Sequence, residues 1–300
     1  MFEKNRHLIA PPFSDEVETF ICPIPKSNYE LTNGLRIAGG WRFFNELRVI
    51  QKKDNSYFEE IMSISKLLNA VKMDSKKNTK KVEKEINNII KIREPFSMLD
   101  MSKPHIMGII NLTPDSFYKN SQLTNSILVV KKSLKMISEG ASIIDLGGES
   151  SRPGARSISV DQEIQRIVPS IVNFKKRNLN VLLSLDTRNL STMQEGFKNG
   201  VDIINDISGF EDRKKTEFVS KSKLPIIVMH MQNQPENMQT KPEYKYAPIE
   251  IYKILSNRIN FLLDRGVKKS NIVIDPGIGF GKNTLHNLDI LKNLTLFHTL

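Results

Sequence analysis

Polar side chains that could bind a ligand end nearly every strand-like run in the last two thirds of this 300-residue sequence. The clearest example is 272–282, where three β-branched residues precede Asp275 and a turn with three glycines leads to Lys282. A charge at the end of a buried strand, followed by a glycine loop, is typical of a binding site rather than of packing. The same pattern recurs upstream at other strand ends: Asn111, Asp145, Asp186, Asn205 and His230.

Six repeats of a strand followed by a helix position these residues. The predicted strands are 106–111, 142–146, 180–186, 201–205, 225–230 and 271–275. The predicted helices lie near 124–139, 160–177, 190–199, 211–222, 247–265 and 284–298. Repeated βα units predict the α/β class, with a parallel sheet covered by helices.

Two architectures of this class compete. A doubly wound sheet concentrates its site at one switch point, whereas a (β/α)₈ TIM barrel brings all strand ends onto one rim. Polar residues at nearly every strand end favour the barrel. Because only about six βα units precede Leu300, we expect an incomplete barrel whose last two units are missing.

The amino-terminal region, residues 1–100, has no ligand or nucleophile spacing, and its function is not assigned. Apolar spacing predicts an amphipathic helix over 56–72, and residues 35–44 are typical of a strand and turn. The Lys-rich segment 73–94 predicts a surface helix or a linker. We therefore expect a small α+β or partly disordered region, separated by a boundary at 95–104 from a second domain over 104–300.

Composition excludes several function classes. The net charge of +11 is spread out, without an arginine stripe or interleaved aromatic residues, so it predicts no nucleic-acid partner, and an anionic small substrate is the next interpretation. A single cysteine, Cys22, excludes a disulfide framework. We expect no membrane partner, because no apolar run reaches about 18 residues. The first residues lack a secretory signal pattern, so a cytoplasmic location is expected.

Two segments resemble the signatures of the dihydropteroate synthase family. Residues 109–117 read IINLTPDSF and residues 144–154 read IDLGGESSRPG. Asp186-Thr187, 204–207, 229–232 and 275–277 follow in matching order. The resemblance covers about 104–300 and implies a (β/α)₈ barrel of folate biosynthesis. Such an enzyme condenses 4-aminobenzoate with (7,8-dihydropterin-6-yl)methyl diphosphate and releases diphosphate.

The resemblance also implies roles for single residues. The positions matching the family's pterin-binding set are Asp186, Asn205, Ile207, Met229 and Asp275. Asp275 and Asp186 are expected to be catalytic, with Asp275 stabilising positive charge on the departing pterin. Asn111 matches the family's metal contact, so Mg²⁺ is the expected cofactor, and it would neutralise the leaving diphosphate. A lone Asp at a strand end is more often a cap or turn residue. That interpretation does not suit three polar strand ends that all lie in segments matching the family: Asp186, Asn205 and Asp275.

Two loops, 112–120 and 147–158, are expected to close over the site. The family uses them for 4-aminobenzoate and diphosphate, and closure would exclude water from a reactive cation. The matching positions are Thr113, Pro114, Asp115 and Phe117 on the first loop, and Ser151, Arg152 and Pro153 on the second. Arg152 could instead pair with a neighbouring carboxylate, and His230 is interpreted as a satisfied strand-end histidine rather than an acid or base.

The sequence also departs from the family. The Ser-Arg-Lys segment of the family's seventh strand and the Arg-x-His of its eighth have no counterpart here. The last helices, through which the family forms homodimers, are also missing, so a homodimer of the family type is not expected. An alternative is therefore a non-catalytic or split-gene fragment that binds pterin weakly or needs a complementing chain. A pterin-dependent methyltransferase barrel shares the strand-end logic but would not carry both loops.

Overall fold

The amino-terminal third of the chain forms an antiparallel sheet with two helices. The structure is a computed structural model that describes residues 7–26, 34–74, 76–112, 122–149 and 157–300. Strands β1 (Glu18–Pro23), β4 (Glu46–Lys53) and β5 (Ser56–Ser63) form one sheet in the order β1-β4-β5, while β2 (Leu35–Arg36) pairs with β3 (Phe43–Phe44). Helices α1 (Ile64–Asp74) and α2 (Lys76–Ile90) follow. We call this part the amino-terminal module.

The helix predicted over 56–72 is wrong in its first half. Residues 56–63 form β5, because Asp54 and Asn55 make a two-residue turn that pairs Lys53 with Ser56. Asp54 adopts a φ of +50°, a conformation that Asp tolerates in tight hairpins. The hairpin signal and the buried Tyr57 prevail over the helical spacing. The strand and turn predicted at 35–44 and a helix within 73–94 are confirmed.

The second part of the chain is built on a parallel sheet of six strands. They are β6 (Ile106–Asn111), β7 (Ala141–Gly147), β8 (Leu182–Asp186), β9 (Ile203–Asp206), β10 (Ile226–Met229) and β11 (Ile272–Asp275). Their spatial order follows the chain strictly from β6 to β11. A doubly wound sheet must reverse direction at a switch point, so this order excludes it. The sheet curls into a half-barrel, in agreement with the predicted barrel class.

Helices cover the convex face of this sheet. They are α3 (Gln122–Ser138), α4 (Val160–Lys175), α5 (Leu190–Lys198), α6 (Arg213–Ser222), α7 (Ala247–Leu263) and α8 (Thr284–Lys292). The helix predicted over 284–298 ends earlier, at Lys292, and a 3₁₀ segment, Leu294–Thr299, follows it. Among the described residues, no helix is long and apolar enough to cross a membrane.

The alternation of side chains along each strand gives the sheet two different faces. On β8, Leu183 and Leu185 are fully buried in the core beneath the helices. Leu182 belongs instead to a cluster on the concave face, where it is followed by Ser184 and Asp186 at the same period of two. The concave face thus changes from apolar to polar toward the carboxyl ends of the strands.

A short segment closes the apolar end of the concave face. Phe96 and Leu99 form a bridged turn and are both buried against one residue from each of four central strands. These strand residues are Ile143, Leu182, Ile203 and Ile227. The region that the sequence marks as a boundary therefore plugs the amino end of the half-barrel and leaves its carboxyl end for polar groups.

The amino-terminal module is held against the end of α8 and the 3₁₀ segment. Asn293 is fully buried at this junction. Its Oδ1 accepts from Arg48 at 2.8 Å, and its Nδ2 donates to the hydroxyl of Tyr246 at 3.1 Å and to the carbonyl of Asp289 at 2.8 Å. Thr295 donates to the carbonyl of Pro23 at 2.6 Å. Polar contacts of this kind fix the orientation of the two parts.

We expect Asn293→Ala to lower the free energy of unfolding by about 2 kcal/mol, because it leaves buried polar groups without their partner. Urea unfolding followed by circular dichroism measures this change. The exposed Asn257→Ala on α7 is the control and should remain within about 0.5 kcal/mol of the wild type. Equal midpoints for both variants would contradict a stabilising role for this junction.

Candidate functional site

The polar strand ends form one row across the concave face. In the register of the sheet, Asn111 pairs with Gly147, Gly147 with Asp186, and Asp186 with Asn205. Asp275 pairs with Met229 on the next pair of strands. Neighbouring strands lie about 4.8 Å apart, so these groups surround one space at the carboxyl end of the half-barrel. The structure therefore brings together the predicted residues Asn111, Asp186, Asn205 and Asp275.

Asp145 lies directly beneath this row and is almost completely buried, at 2% exposure. The amide Nδ2 of Asn205 donates to its Oδ2 at 3.1 Å, across the intervening strand β8. Its other oxygen, Oδ1, and the hydroxyl of Ser184 have no hydrogen-bond partner within the described part of the chain. The bond orients the Asn205 amide, so that its Oδ1 remains available as an acceptor.

Asp186 carries the strongest electrostatic perturbation of the row. Burial raises the pKa of its carboxyl well above the ordinary value, and the negative charges of Asp145, Asp206, Glu163 and Glu149 raise it further. The pKa of Asp145 is also raised by burial, although the hydrogen bond from Asn205 opposes the shift. Two neighbouring carboxyls in a poorly solvated site resist carrying charge together, which is typical of a binding or catalytic site.

A second buried carboxylate, Asp206, has a structural role. It is fully buried and forms an ion pair with Lys215 at 2.8 Å. It also accepts from the backbone N–H of Ser208 at 2.8 Å and of Phe210 at 3.0 Å. Because its oxygens are all occupied, Asp206 fixes the turn after β9 rather than serving a ligand.

Asp275 ends β11 and starts the glycine loop. Its Oδ1 accepts from the backbone N–H of Gly277 at 2.7 Å, which turns the chain immediately after the strand. Gly277 has a φ of +68°, and a Cβ at this position would lie 2.0 Å from the carbonyl oxygen of His230. Only glycine permits this close approach of the two loops, and the approach sets where Asp275 stands.

An ion pair on the rim ties three loops together. Arg188, just after β8, donates to both oxygens of Glu149 at 3.0 and 3.1 Å. It also donates to Gln234 at 2.9 Å, in the loop after β10. Hydrogen bonding with Glu149 raises the pKa of the Arg188 guanidinium. Arg188 therefore supports the stem from which the second predicted loop leaves the sheet.

Asn111 provides an oxygen donor that fits a hard cation. A Cβ on Gly147 would lie 2.8 Å from Asn111 Oδ1 and 3.4 Å from Asp186 Oδ2, so the missing side chain leaves a space between these oxygens. Among the described residues no cluster of three or more His, Cys, Asp or Glu could hold a metal alone. Mg²⁺ commonly binds through one or two protein oxygens together with substrate phosphates and water. The residues present fit that mode.

The other predicted site residues divide into two groups. Ile207 and Met229 are buried at 7% and 5% exposure, beside the polar row, and their contact with pterin stays a prediction. The loop residues Thr113, Pro114, Asp115, Phe117, Ser151, Arg152 and Pro153 lie outside the described residues. His230 is buried, and burial with the nearby Lys282 lowers its pKa to about 3. It is therefore neutral, in agreement with its interpretation as a satisfied histidine.

Comparisons with known proteins place this chain in a family. Residues 107–300 match the family described as pterin binding enzyme. The dihydropteroate synthase of Escherichia coli K12 is 40% identical over 200 residues, which are 67% of this chain and 71% of that protein. The Haemophilus influenzae dihydropteroate synthase is 40% identical over 199 residues, or 66% and 72% of the two chains. The chain belongs to the dihydropteroate synthase family.

Solved structures of the family agree with the half-barrel. The Yersinia pestis dihydropteroate synthase, solved with a sulfonamide drug complex, has a TM-score of 0.61 at 39% identity and covers 65% of this chain and 71% of its own. The Xanthomonas albilineans dihydropteroate synthase with 4-aminobenzoic acid has a TM-score of 0.59 at 33% identity, covering 65% and 69%. The predicted fold class is therefore confirmed at the level of the family.

The structure adds residues that sequence reasoning did not assign to the site. Asp145 shares the strand-end pattern of the others, but the family resemblance gives it no role of its own. Arg188 and Glu149 gave no such signal, because they pair with each other from remote positions in the sequence, and Lys282 was noted only as the end of the glycine loop. Only the packing of one loop on another reveals them.

We expect Asp145→Asn to change how stability depends on pH. Both Asp145 and Asp186 have raised folded-state pKa values, so the folded state favours their protonated forms. Their stabilisation is complete below about pH 4, the ordinary carboxyl pKa, and is lost as pH rises through the folded-state values. Replacing Asp145 removes one of the two charges. The variant should therefore gain at least about 1 kcal/mol relative to the wild type between pH 4 and 8.

Urea unfolding at one-unit pH intervals measures this difference. The exposed Asp264→Asn, at the end of α7, is the matched control and should run parallel to the wild type. If the free energies of unfolding of the wild type and Asp145→Asn differed by the same amount at all pH values, the coupling of the two carboxyls would be refuted.

Proposed function

We propose that this chain catalyses the dihydropteroate synthase reaction of folate biosynthesis. One observation carries the proposal. Among the strand-end carboxylates of the described residues, Asp186 has no protein hydrogen-bond partner, although it stands between Asn205 and Gly147 in the centre of the row. An acceptor at the mouth of the sheet that is half-buried and unpaired by the fold is available to pair with a ligand.

The pterin ring supplies the complementary groups. Its amino-pyrimidinone edge carries several N–H donors beside a carbonyl acceptor. The carboxyls of Asp186 and Asp275 and the Oδ1 of Asn205 are acceptors that converge on one space, and a flat ligand edge can satisfy them together. Ile207 and Met229 would offer apolar contact to the ring faces. The raised pKa of Asp186 is consistent with a site completed by a donor-rich ligand.

The reaction is a substitution at the methylene carbon attached to the pterin. The C–O bond to diphosphate breaks, and the leaving group departs with the electron pair. The amine nitrogen of 4-aminobenzoate then forms a C–N bond to this carbon and loses a proton. The Asp275 carboxylate, beside the ring, would stabilise the positive charge that develops on the pterin, and no nucleophilic side chain is needed.

Magnesium is the proposed cofactor, with Asn111 as its protein ligand. When bound, the cation would neutralise charge on the departing diphosphate. The Asn111 oxygen points over Gly147 into the same space as Asp186, so it could orient the diphosphate end of the substrate relative to the pterin end. The predicted loop residues of 112–120 and 147–158 would supply the remaining contacts to 4-aminobenzoate and diphosphate.

Ligands of the solved relatives support the choice of substrates. Xanthomonas albilineans dihydropteroate synthase was solved with 4-aminobenzoic acid and also in complex with 7,8-dihydropteroate, one substrate and the product of the proposed reaction. The non-catalytic alternative is not favoured, because the strand ends that match the family stand together here. The cytoplasmic location and the absence of nucleic-acid, membrane and homodimer partners stay predictions.

We expect Asp186→Asn to reduce kcat/KM for diphosphate release by at least about 100-fold, or about 2.7 kcal/mol in activation free energy. The purified 300-residue chain is assayed with Mg²⁺, 4-aminobenzoate and the pterin diphosphate. Asp264→Asn, remote from the strand ends, should retain wild-type kinetics. No diphosphate release by the wild type would overturn the proposed function, and unchanged kinetics of Asp186→Asn would overturn the assigned role of this residue.

A further inference from the structure

Lys282 is a buried lysine that the proposed chemistry does not use. It ends the glycine loop after β11 and is 2% exposed. Its ammonium has three acceptors: the carbonyl of Phe280 at 2.7 Å, the carbonyl of His230 at 3.2 Å and the His230 Nδ1 at 3.2 Å. The three bonds use all of its N–H donors. They join the loop after β11 to the end of β10.

The two loops also touch through their backbones. A Cβ on Gly281 would lie 2.7 Å from the carbonyl oxygen of Gln232, and a Cβ on Gly277 would lie 3.2 Å from the Lys282 Nζ. Tyr244 donates its hydroxyl to the carbonyl of Gly281 at 3.0 Å. The loop that carries Asp275 at its start is therefore fixed at its far end by Lys282.

The titratable groups near Lys282 are Asp275, His230, Tyr244 and His286. Burial lowers the pKa of the Lys282 ammonium to about 7, and the nearby Asp275 carboxylate opposes this shift. The neutral His230 accepts at Nδ1, so its ring proton lies on Nε2. The ring of Tyr244 lies 6.0 Å from His230 and 4.9 Å from His286. Burial lowers the pKa of His286, and the Lys282 charge lowers it further.

We propose that Lys282 is a positioning residue, which holds the Gly277–Gly281 loop on the end of β10 and so fixes the Asp275 carboxylate for pterin binding. The inference rests on the proposed function for the identity of the ligand. The anchoring of the loop itself depends only on the contacts described. A neutral amine has one donor fewer and no charge, so loss of the proton weakens the anchor.

The test compares Lys282→Met, which keeps the length and removes the hydrogen bonds, with Lys292→Met on the exposed end of α8. Calorimetry measures binding of 6-hydroxymethylpterin from pH 6 to 9. We expect wild-type and Lys292→Met affinity to fall about tenfold as pH rises through about 7, because the ammonium is lost. Lys282→Met should bind at least about tenfold more weakly at pH 6 and lack the fall near pH 7, so that only ionisation of the pterin itself, which is common to all three proteins, lowers its affinity. Wild-type affinity and pH dependence in Lys282→Met would overturn the proposal.

Hydrogen exchange on the ligand-free protein separates this inference from the proposed function. Lys282→Met should lose protection at 230–232 and 277–281 while the amides of β6 to β9 remain protected. If the wild type binds no pterin, the proposed function fails, and the local loss of protection still decides the anchor. If Lys282→Met does not fold, His230→Leu, which removes one of the three acceptors, replaces it. Unchanged protection in the folded variant would refute the anchor.

Discussion

Carboxylates held close together at the mouth of a parallel sheet impose the main constraint on this structure. Each must be paired or protonated, because an isolated buried charge is too costly. Asp206 pairs with Lys215, and Asp145 receives the amide of Asn205. Asp275 accepts from the loop that it begins. The fold thus gives each of these neighbours at least one partner and leaves Asp186 as the acceptor for a ligand.

This arrangement depends on the register of every strand. Because side chains alternate with a period of two, the residues that build the core and those that build the site are interleaved on one strand. On β8, a slip of one residue would place Leu185 in the site and Asp186 under the helices. Stability and binding therefore constrain the same register. The plug of Phe96 and Leu99 strengthens it by giving the concave face an apolar floor.

The sequence predicts the parallel part of the fold well, for physical reasons. A run such as Ile143-Ile144 followed by a charge has few alternatives to a buried strand that ends at a site. Residues 56–72 were harder, because their apolar spacing suits a helix while Asp54 and Asn55 favour a hairpin, and only pairing with β4 decides between them. The plug formed by Phe96 was also beyond prediction, since its partners lie on four remote strands.

Within the candidate site, the sequence identifies groups that present themselves to a ligand and misses groups that act through another residue. The sequence identifies three polar residues because each ends a strand: Asp186, Asn205 and Asp275. Lys282 follows a glycine loop and would pass for a phosphate-binding lysine, but its three acceptors are all within the protein.

Because the acceptors of Lys282 lie within the protein, the loop after β11 is ordered before a substrate binds. A loop with Gly277, Gly279 and Gly281 at positive φ would lose much conformational freedom if it were ordered only when the substrate arrives. Backbone contact with His230 and Gln232, together with the Lys282 bonds, orders it during folding instead. The conformational entropy of placing Asp275 is then lost during folding and not on binding. More of the interaction energy with the pterin therefore contributes to affinity and orientation.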